Sequence, residues 1–389
     1  MTRDLRLISI ALFLWGIGEG LFFYFQPVYL QQLGADPVRI GAILGLAGVA
    51  AVVTHIPAGS VSDRVGSKSA IIASWVMGIV AAFLMFLAPS LGPFVAGLVI
   101  YYLTLFVMSP LSSYISNARG KWTSARALTT AFSSFNLGLI IGPAVGGGLA
   151  ESVGLRPVFA VSGVIFALST VFVLRLHPQP VSTEEDAQGA WRILRQPGMA
   201  RFLGLILISL LALSLSWPLT PNFLTNQRGI SLGLLGALGS FNALGVVALN
   251  LSLGRIHPKT GFVLAHVLVG LSIASLWMGS SVVWFGIGYF LAGGMRTAHA
   301  LAIAQSEPLV SRRNLGLAFG MVETMYGSAM AIGPVIAGIL YDMKPWLPYP
   351  VGLSMAAVTL ILSLKLLPRS GPAKSTAGAP EVIPSLRRQ

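Results

Sequence analysis

One pattern limits what this chain can become: a long apolar run that keeps returning. Twelve runs, at 7–33, 37–62, 68–88, 92–117, 127–151, 155–176, 200–226, 231–254, 260–279, 282–306, 315–341 and 348–367, follow one another across short polar joints. A helix crossing the hydrocarbon core of a bilayer needs about 20 apolar residues. Backbone inside lipid must satisfy its own hydrogen bonds, so each run reads as a helix. Several runs exceed the minimum, which predicts tilt or kinks. A membrane barrel would show strands of about 10 alternating residues, and that pattern is absent. Composition agrees. Only 10% of the 389 residues are charged and 55% are hydrophobic, with a mean hydropathy of +0.80. That is too little charge to clothe a soluble globule. The chain holds no cysteine, which excludes thiol catalysis, disulfides and thiolate metal sites.

The first run follows Arg3 and Arg6, as a signal peptide would. It has no small-x-small cleavage site, and it continues through Trp15, Glu19 and the aromatic stretch Phe22–Phe25. It therefore reads as a retained first span. Net charge is +13, a balance that often marks a nucleic-acid partner. Here the bases sit in the joints between apolar runs, and no nucleic acid is expected. With an even number of spans, twenty of the 25 Lys and Arg residues fall on one side, and Arg39, Arg156, Arg228 and Lys344 on the other. Arg296 lies inside a span. Positive loops stay in the cytoplasm. Both termini are thus expected there, in a multi-pass protein of the cell (plasma or inner) membrane.

The longest polar interruption is 177–199. Pro178, Pro180 and Pro197 and the acidic run Glu184–Asp186 mark it as a linker. Within it Trp191–Arg195 reads either as a short surface helix or as a solvated loop. Six spans precede the linker and six follow it, and the halves resemble each other. Gly34, Gly41, Gly59 and Gly66 match Gly229, Gly236, Gly254 and Gly261 at an offset of 195. Ile141-Gly142-Pro143 matches Ile332-Gly333-Pro334 at 191, and Pro27–Leu30 resembles Pro221–Leu224. A tandem repeat in a membrane protein points to two bundles with a site between them. The expected organisation is a six-helix bundle at 1–176, a cytoplasmic linker at 177–199, a second bundle at 200–367, and a disordered tail at 368–389. The tail is rich in Gly, Ala, Pro and Ser and has no apolar face.

Two motifs carry a resemblance. The loop between the second and third spans reads Gly59-Ser-Val-Ser-Asp63-Arg64-Val-Gly66-Ser-Lys68. It resembles the signature loop of the major facilitator superfamily, Gly-x-x-x-Asp-Arg-x-Gly-x-Lys. The second-half equivalent, Gly254 to Gly261, has Pro258 in place of the Asp. The resemblance implies a fold of two pseudo-symmetric six-helix bundles, and a conformational latch formed by Gly59, Asp63, Arg64 and Gly66 against the start of the eleventh span, after Arg312 and Arg313. In the fifth span Gly138, Gly142, Pro143, Gly146 and Gly147 form a small-residue ridge suited to close helix packing and a kink. Gly142-Pro143-x-x-Gly146-Gly147 looks like an element of the superfamily's drug–proton antiporters. Those antiporters usually carry an Arg in the fourth span, and 92–117 contains none.

Charges inside the membrane are costly and usually functional. Glu19, Arg296 and Glu323 lie roughly 18, 15 and 12 Å from the inner ends of their spans at 1.5 Å per residue. Three stripes follow from helical spacing. The first joins Trp15, Glu19, Phe22, Phe23 and Gln26. The second joins Tyr289, Arg296 and His299, and the third Glu323 and Tyr326. These stripes are expected to line a substrate cavity. Arg296 and Glu323, at similar depth on consecutive spans, are expected to form a buried ion pair. Glu19 and Glu323 are the candidate proton-coupling residues. Burial disfavours the charged form of a carboxyl, which suits a reversible proton carrier. Glu19, set among aromatic rings, is the better candidate. No two histidines share a metal-ligand spacing, so no metal is expected.

No Gly-Lys-Ser/Thr phosphate loop occurs, and the joints are too short for a nucleotide-binding domain. No catalytic grouping marks an enzyme. The function expected is secondary active transport by alternating access, without a cofactor and driven by the proton gradient. Its first form is efflux of small amphipathic compounds by a monomer. The alternatives are uptake of a small organic anion, held by Arg296 and His299, and a transport-inactive membrane sensor.

Overall fold

The structure, a computed structural model, describes residues 1–179, 197–310 and 315–367, and the side chains of all of these except 54–65, 125, 197, 315 and 316. Every regular element among the described residues is a helix. Residues 180–196 of the expected linker, with Trp191–Arg195, lie outside them, and so does the tail 368–389.

Eight spans are single helices: span 2, Pro37–Val65; span 3, Ser67–Leu87; span 5, Ser124–Val153; span 6, Leu155–Leu174; span 8, Leu232–Leu253; span 9, Pro258–Met278; span 11, Leu315–Met343; and span 12, Pro348–Leu366. The other four are interrupted. Span 1 is Arg3–Phe23 continued by Gln26–Gln32, and span 7 is Pro197–Ser214 continued by Thr220–Arg228. In both, a proline opens the second segment, where its missing N–H costs nothing. Span 4 is Leu91–Leu103 and Met108–Asn117, joined by a tighter 3-10 turn at Thr104–Val107. Thr104 Oγ1 donates to the Tyr101 carbonyl at 2.6 Å, competing with the helical ladder. Span 10 breaks at Gly293 between Val282–Ala292 and Gly294–Ser306. The interrupted spans occupy equivalent places in the two halves, 1 with 7 and 4 with 10. Gly34 and Gly229, partners in the repeat, end the second segments of spans 1 and 7 at φ 88° and 65°. Only glycine adopts that left-handed conformation without strain.

Lipid supplies no hydrophobic drive between helices, so small residues that admit close approach hold the bundle together. Span 5 uses two faces. Gly138, Gly142 and Gly146 lie on the backbone of span 1 at Phe13–Ile17, Gly20 and Leu21. Pro143 and Gly147 lie on span 8 at Gly236, in the other half. The repeat produces a second cross-half contact. Gly41, Gly45 and Gly48 of span 2 meet Pro334, Ala331 and Met330 of span 11. Both contacts sit toward the ends of the spans remote from the N-terminus, called here the distal side. The side carrying Arg3 and Leu366 is the proximal side.

Candidate functional site

A cavity of about 300 Å³ lies between the halves, with Glu19 and Arg296 in its wall. Spans 1, 3, 4 and 5 supply most of the lining, and spans 8 and 10 close it with Val246, Asn250 and Arg296. Trp15, Trp75, Tyr101, Phe132 and Phe135 put aromatic rings in its wall. Trp15 stacks on Phe166 at a centroid distance of 4.2 Å and leans on Trp75 at 4.7 Å. Trp75 Nε1 donates to Ser169 Oγ at 2.7 Å, and Ser169 Oγ to the Ala11 carbonyl at 2.7 Å. This relay fixes the indole that backs the cavity. The Tyr101 hydroxyl and the Trp15 indole are the donors beside the Glu19 carboxyl. Arg296 lies close enough to Glu19 for their charges to interact, yet no nitrogen–oxygen pair joins Arg296 to Glu19 within 4.0 Å among the described residues. The two charges face one space without touching.

Among the described residues no nitrogen–oxygen pair within 4.0 Å makes the expected Arg296–Glu323 ion pair. Glu323 Oε1 instead lies 3.3 Å from His299 Nε2, an ion-pair distance without hydrogen-bond alignment. The imidazole stacks on Tyr326 at 4.0 Å. Equal depth says nothing about rotation about the helix axis. His299 turns to span 11, while Arg296, three residues earlier, opens toward the cavity. The stripes also fail, within the first helix of span 1 as well as across the breaks, where the helical register is lost. Phe22 enters the core of its own half, against Tyr101 at 5.0 Å and Phe159 at 5.5 Å. Gln26, past the break in span 1, is buried and accepts from the Tyr102 hydroxyl at 3.1 Å. Phe23 stands edge-on to Tyr24 at 5.5 Å. Tyr289, before the break in span 10, is fully buried beside Trp217. Of the residues expected in the cavity, Trp15 and Arg296 line it, along with Glu19; Phe22, Phe23, Gln26, Tyr289, His299 and Tyr326 are not part of this lining. The expectation had passed over Trp75, Tyr101, Phe135, Asn136 and Asn250, which do line it. The signal for the last two was an amide inside an apolar span.

The distal side is sealed by hydrogen bonds between the halves. Tyr24 donates to Asn242 Oδ1 at 2.9 Å, and Asn222 Nδ2 to the Pro27 carbonyl at 3.1 Å and to Gln31 Oε1 at 2.8 Å. The Ala144 N–H, next to Pro143 inside the continuous helix of span 5, donates to Ser240 Oγ at 3.2 Å. These cross-half hydrogen bonds all lie toward the distal ends of their spans. The latch residues Gly59, Asp63 and Arg64 have no described side chains, and Arg312 and Arg313 lie outside the described residues. At Gly66 the chain turns into span 3 with φ 82°.

The sequence model of the Major Facilitator Superfamily matches residues 8–213 and 202–388. The chain belongs to the major facilitator superfamily. Its relatives include the quinolone resistance protein NorA of Staphylococcus aureus (strain MRSA252), 24% identical over 383 residues, covering 93% of this chain and 96% of that one. An uncharacterised transporter of this superfamily type from Methanocaldococcus jannaschii is 22% identical over 365 residues, covering 88% and 92%. Among solved structures, the nucleoside transporter NupG superposes with a TM-score of 0.77 at 18% identity, covering 94% and 98%. The human organic anion transporter MFSD10 gives 0.66 at 16%, covering 93% and 99%. At such identities these two structures show the fold alone. The chain is a major facilitator transporter embedded in a membrane, not an enzyme.

Proposed function

We propose that this transporter exports small amphipathic compounds by alternating access, coupled to proton entry. One observation carries the reading: an aromatic cavity between the halves that holds one carboxylate and one guanidinium and is sealed on the distal side. Its volume of about 300 Å³ is at the small end for drug-sized ligands. The basic bias assigns the proximal side to the cytoplasm, and the described arrangement is then inward-facing. Residues 1–176 and 200–367 are the two rocking bodies. Glu19 carries the proton. Ionised, it compensates Arg296 across the cavity; protonated, it leaves Arg296 to a ligand. The proton gradient is the energy source, no cofactor takes part, and a monomer suffices. The name of the NorA relative supports a drug-like substrate.

Uptake of a small organic anion is the second reading. Its support is the position of Arg296, apart from Glu323 and facing the cavity. Purified protein in liposomes with an imposed pH gradient separates the two. Accumulation of an amphipathic dye in exchange for protons supports export. Accumulation of an aromatic carboxylate together with protons supports uptake. Absence of both in folded, correctly inserted preparations supports the sensor. Glu19→Gln is expected to abolish gradient-driven accumulation and to retain substrate exchange, because Gln mimics the protonated carboxyl. Accumulation that survives Glu19→Gln removes Glu19 from the coupling role.

A further inference from the structure

Glu151 ends span 5, in the first half, and its carboxylate leaves that half. Oε2 accepts from the Gly233 N–H at 2.9 Å and from Ser231 Oγ at 3.3 Å. Both donors belong to the start of span 8, in the second half. The first N–H groups of any helix lack partners within it. Ser231 is the N-cap of span 8 and accepts from the Leu234 N–H at 3.3 Å. Glu151 satisfies the N–H of Gly233 between them. A carboxylate there is also favoured by the positive end of the helix dipole. Gly233 is shaped for this contact, since a Cβ on it would fall on Glu151 Oε2. One and two turns back along span 5, Gly147 and Pro143 lie on Gly236. The carboxylate is thus the outermost tooth of the span 5–span 8 seam, and the tooth that carries charge.

We propose that Glu151 is a distal latch: a positioning residue that holds the inward-facing state by capping span 8 across the interface, and that is surrendered to water when the distal side opens. This rests on the alternating-access reading. It gives the chain an acid at each face, Glu151 distally and Asp63 in the proximal signature loop, each suited to one closed state.

The test uses the absence of native cysteine. Ser240→Cys places a near-isosteric thiol in the seam, and a membrane-impermeant maleimide is applied from the distal side. Glu151→Ala is expected to raise the labelling rate roughly tenfold, the scale of one lost charged cap, with Glu151→Gln in between. Gly233→Ala, which displaces the carboxylate and keeps its charge, is expected to raise it as well. Ser152→Ala, on the same turn, leaves it unchanged. Raising ionic strength is expected to speed labelling of the Ser240→Cys parent and not of its Glu151→Ala derivative, a dependence that packing alone does not produce. Turnover changes in Glu151→Ala, while KM stays within about twofold, because Glu151 is absent from the cavity wall. Labelling within about twofold of the parent in both Glu151→Ala and Gly233→Ala, in protein that still exchanges substrate, overturns the latch. If the parent labels equally fast with and without substrate and gradient, the alternating-access reading fails instead.

Discussion

The separation of Arg296 from Glu323 can be measured as an energy. Consider two double-mutant cycles built from Arg296→Gln, Glu19→Gln and Glu323→Gln. Two unit charges 4 Å apart at an effective dielectric of about 20 interact by about 4 kcal/mol. Glu19 and Arg296 approach no closer than 4.0 Å, so that value is a ceiling, and a coupling of about 1–3 kcal/mol is expected between them. Glu323 lies against His299, whose side chain is 17% exposed against 46% for Glu323. A pair that wet contributes about 0–1 kcal/mol. Coupling between Glu323 and Arg296 is therefore expected within about 0.5 kcal/mol of zero. Breaking a buried Arg296–Glu323 pair would have cost about 3–5 kcal/mol, so the two arrangements are well resolved. Equilibrium unfolding in mixed micelles supplies the free energies. The measurement belongs on the alkaline side, where both carboxyls are ionised. The Glu19–Arg296 coupling is present there and disappears as falling pH protonates Glu19. A Glu323–Arg296 coupling larger than the Glu19–Arg296 coupling would refute the reasoning.

Three further outcomes are expected. Gly236→Ala sets a Cβ on the Pro143 carbonyl and 2.8 Å from Gly147 Cα; overpacking of this kind costs about 1–3 kcal/mol, which the opened distal side relieves. Distal thiol labelling is thus expected to rise at least several-fold over Gly148→Ala, where a Cβ meets nothing within 4 Å; equal rates would count against the seam. Tyr24→Phe strands the Asn242 acceptor of a 2.9 Å cross-half bond, a loss of about 1–3 kcal/mol, read as weaker cross-linking between distal cysteine pairs. Trp15→Ala removes the ring between Trp75 and Phe166 and is expected to raise KM for an aromatic substrate about tenfold in a flux assay.

Hydropathy made the spans legible, because lipid permits so few backbone solutions. The breaks were legible only in part. Pro27 and Pro221 had already appeared as partners in the repeat, and they open the second segments of spans 1 and 7. The break in span 10 falls at the adjacent Gly293 and Gly294, which the run 282–306 passed over. What the sequence lacked was the rotation of each segment beyond its break. Spacing put Gln26 with Glu19, and Tyr289 with Arg296, as though the helices ran on. Charge also drew attention away from neutral wall residues. Tyr101 reaches the Glu19 carboxyl from span 4, and nothing in its local sequence separates it from Tyr102 beside it.

Span 5 packs on span 1 within its own half and on span 8 across the halves, and on the alternating-access reading proposed above only the first of these contacts lasts throughout the cycle. That division assigns two phenotypes to a single helix. In a saturation library, bulky substitutions at Gly138, Gly142 and Gly146, which face span 1, deplete the protein itself and leave no signal in a cell-surface count. Bulky substitutions at Gly147, which faces Gly236 of the other half, leave the count intact and slow growth under drug challenge. Two selections on one library, one for abundance and one for survival, would draw the border between the permanent and the intermittent face along this helix, residue by residue.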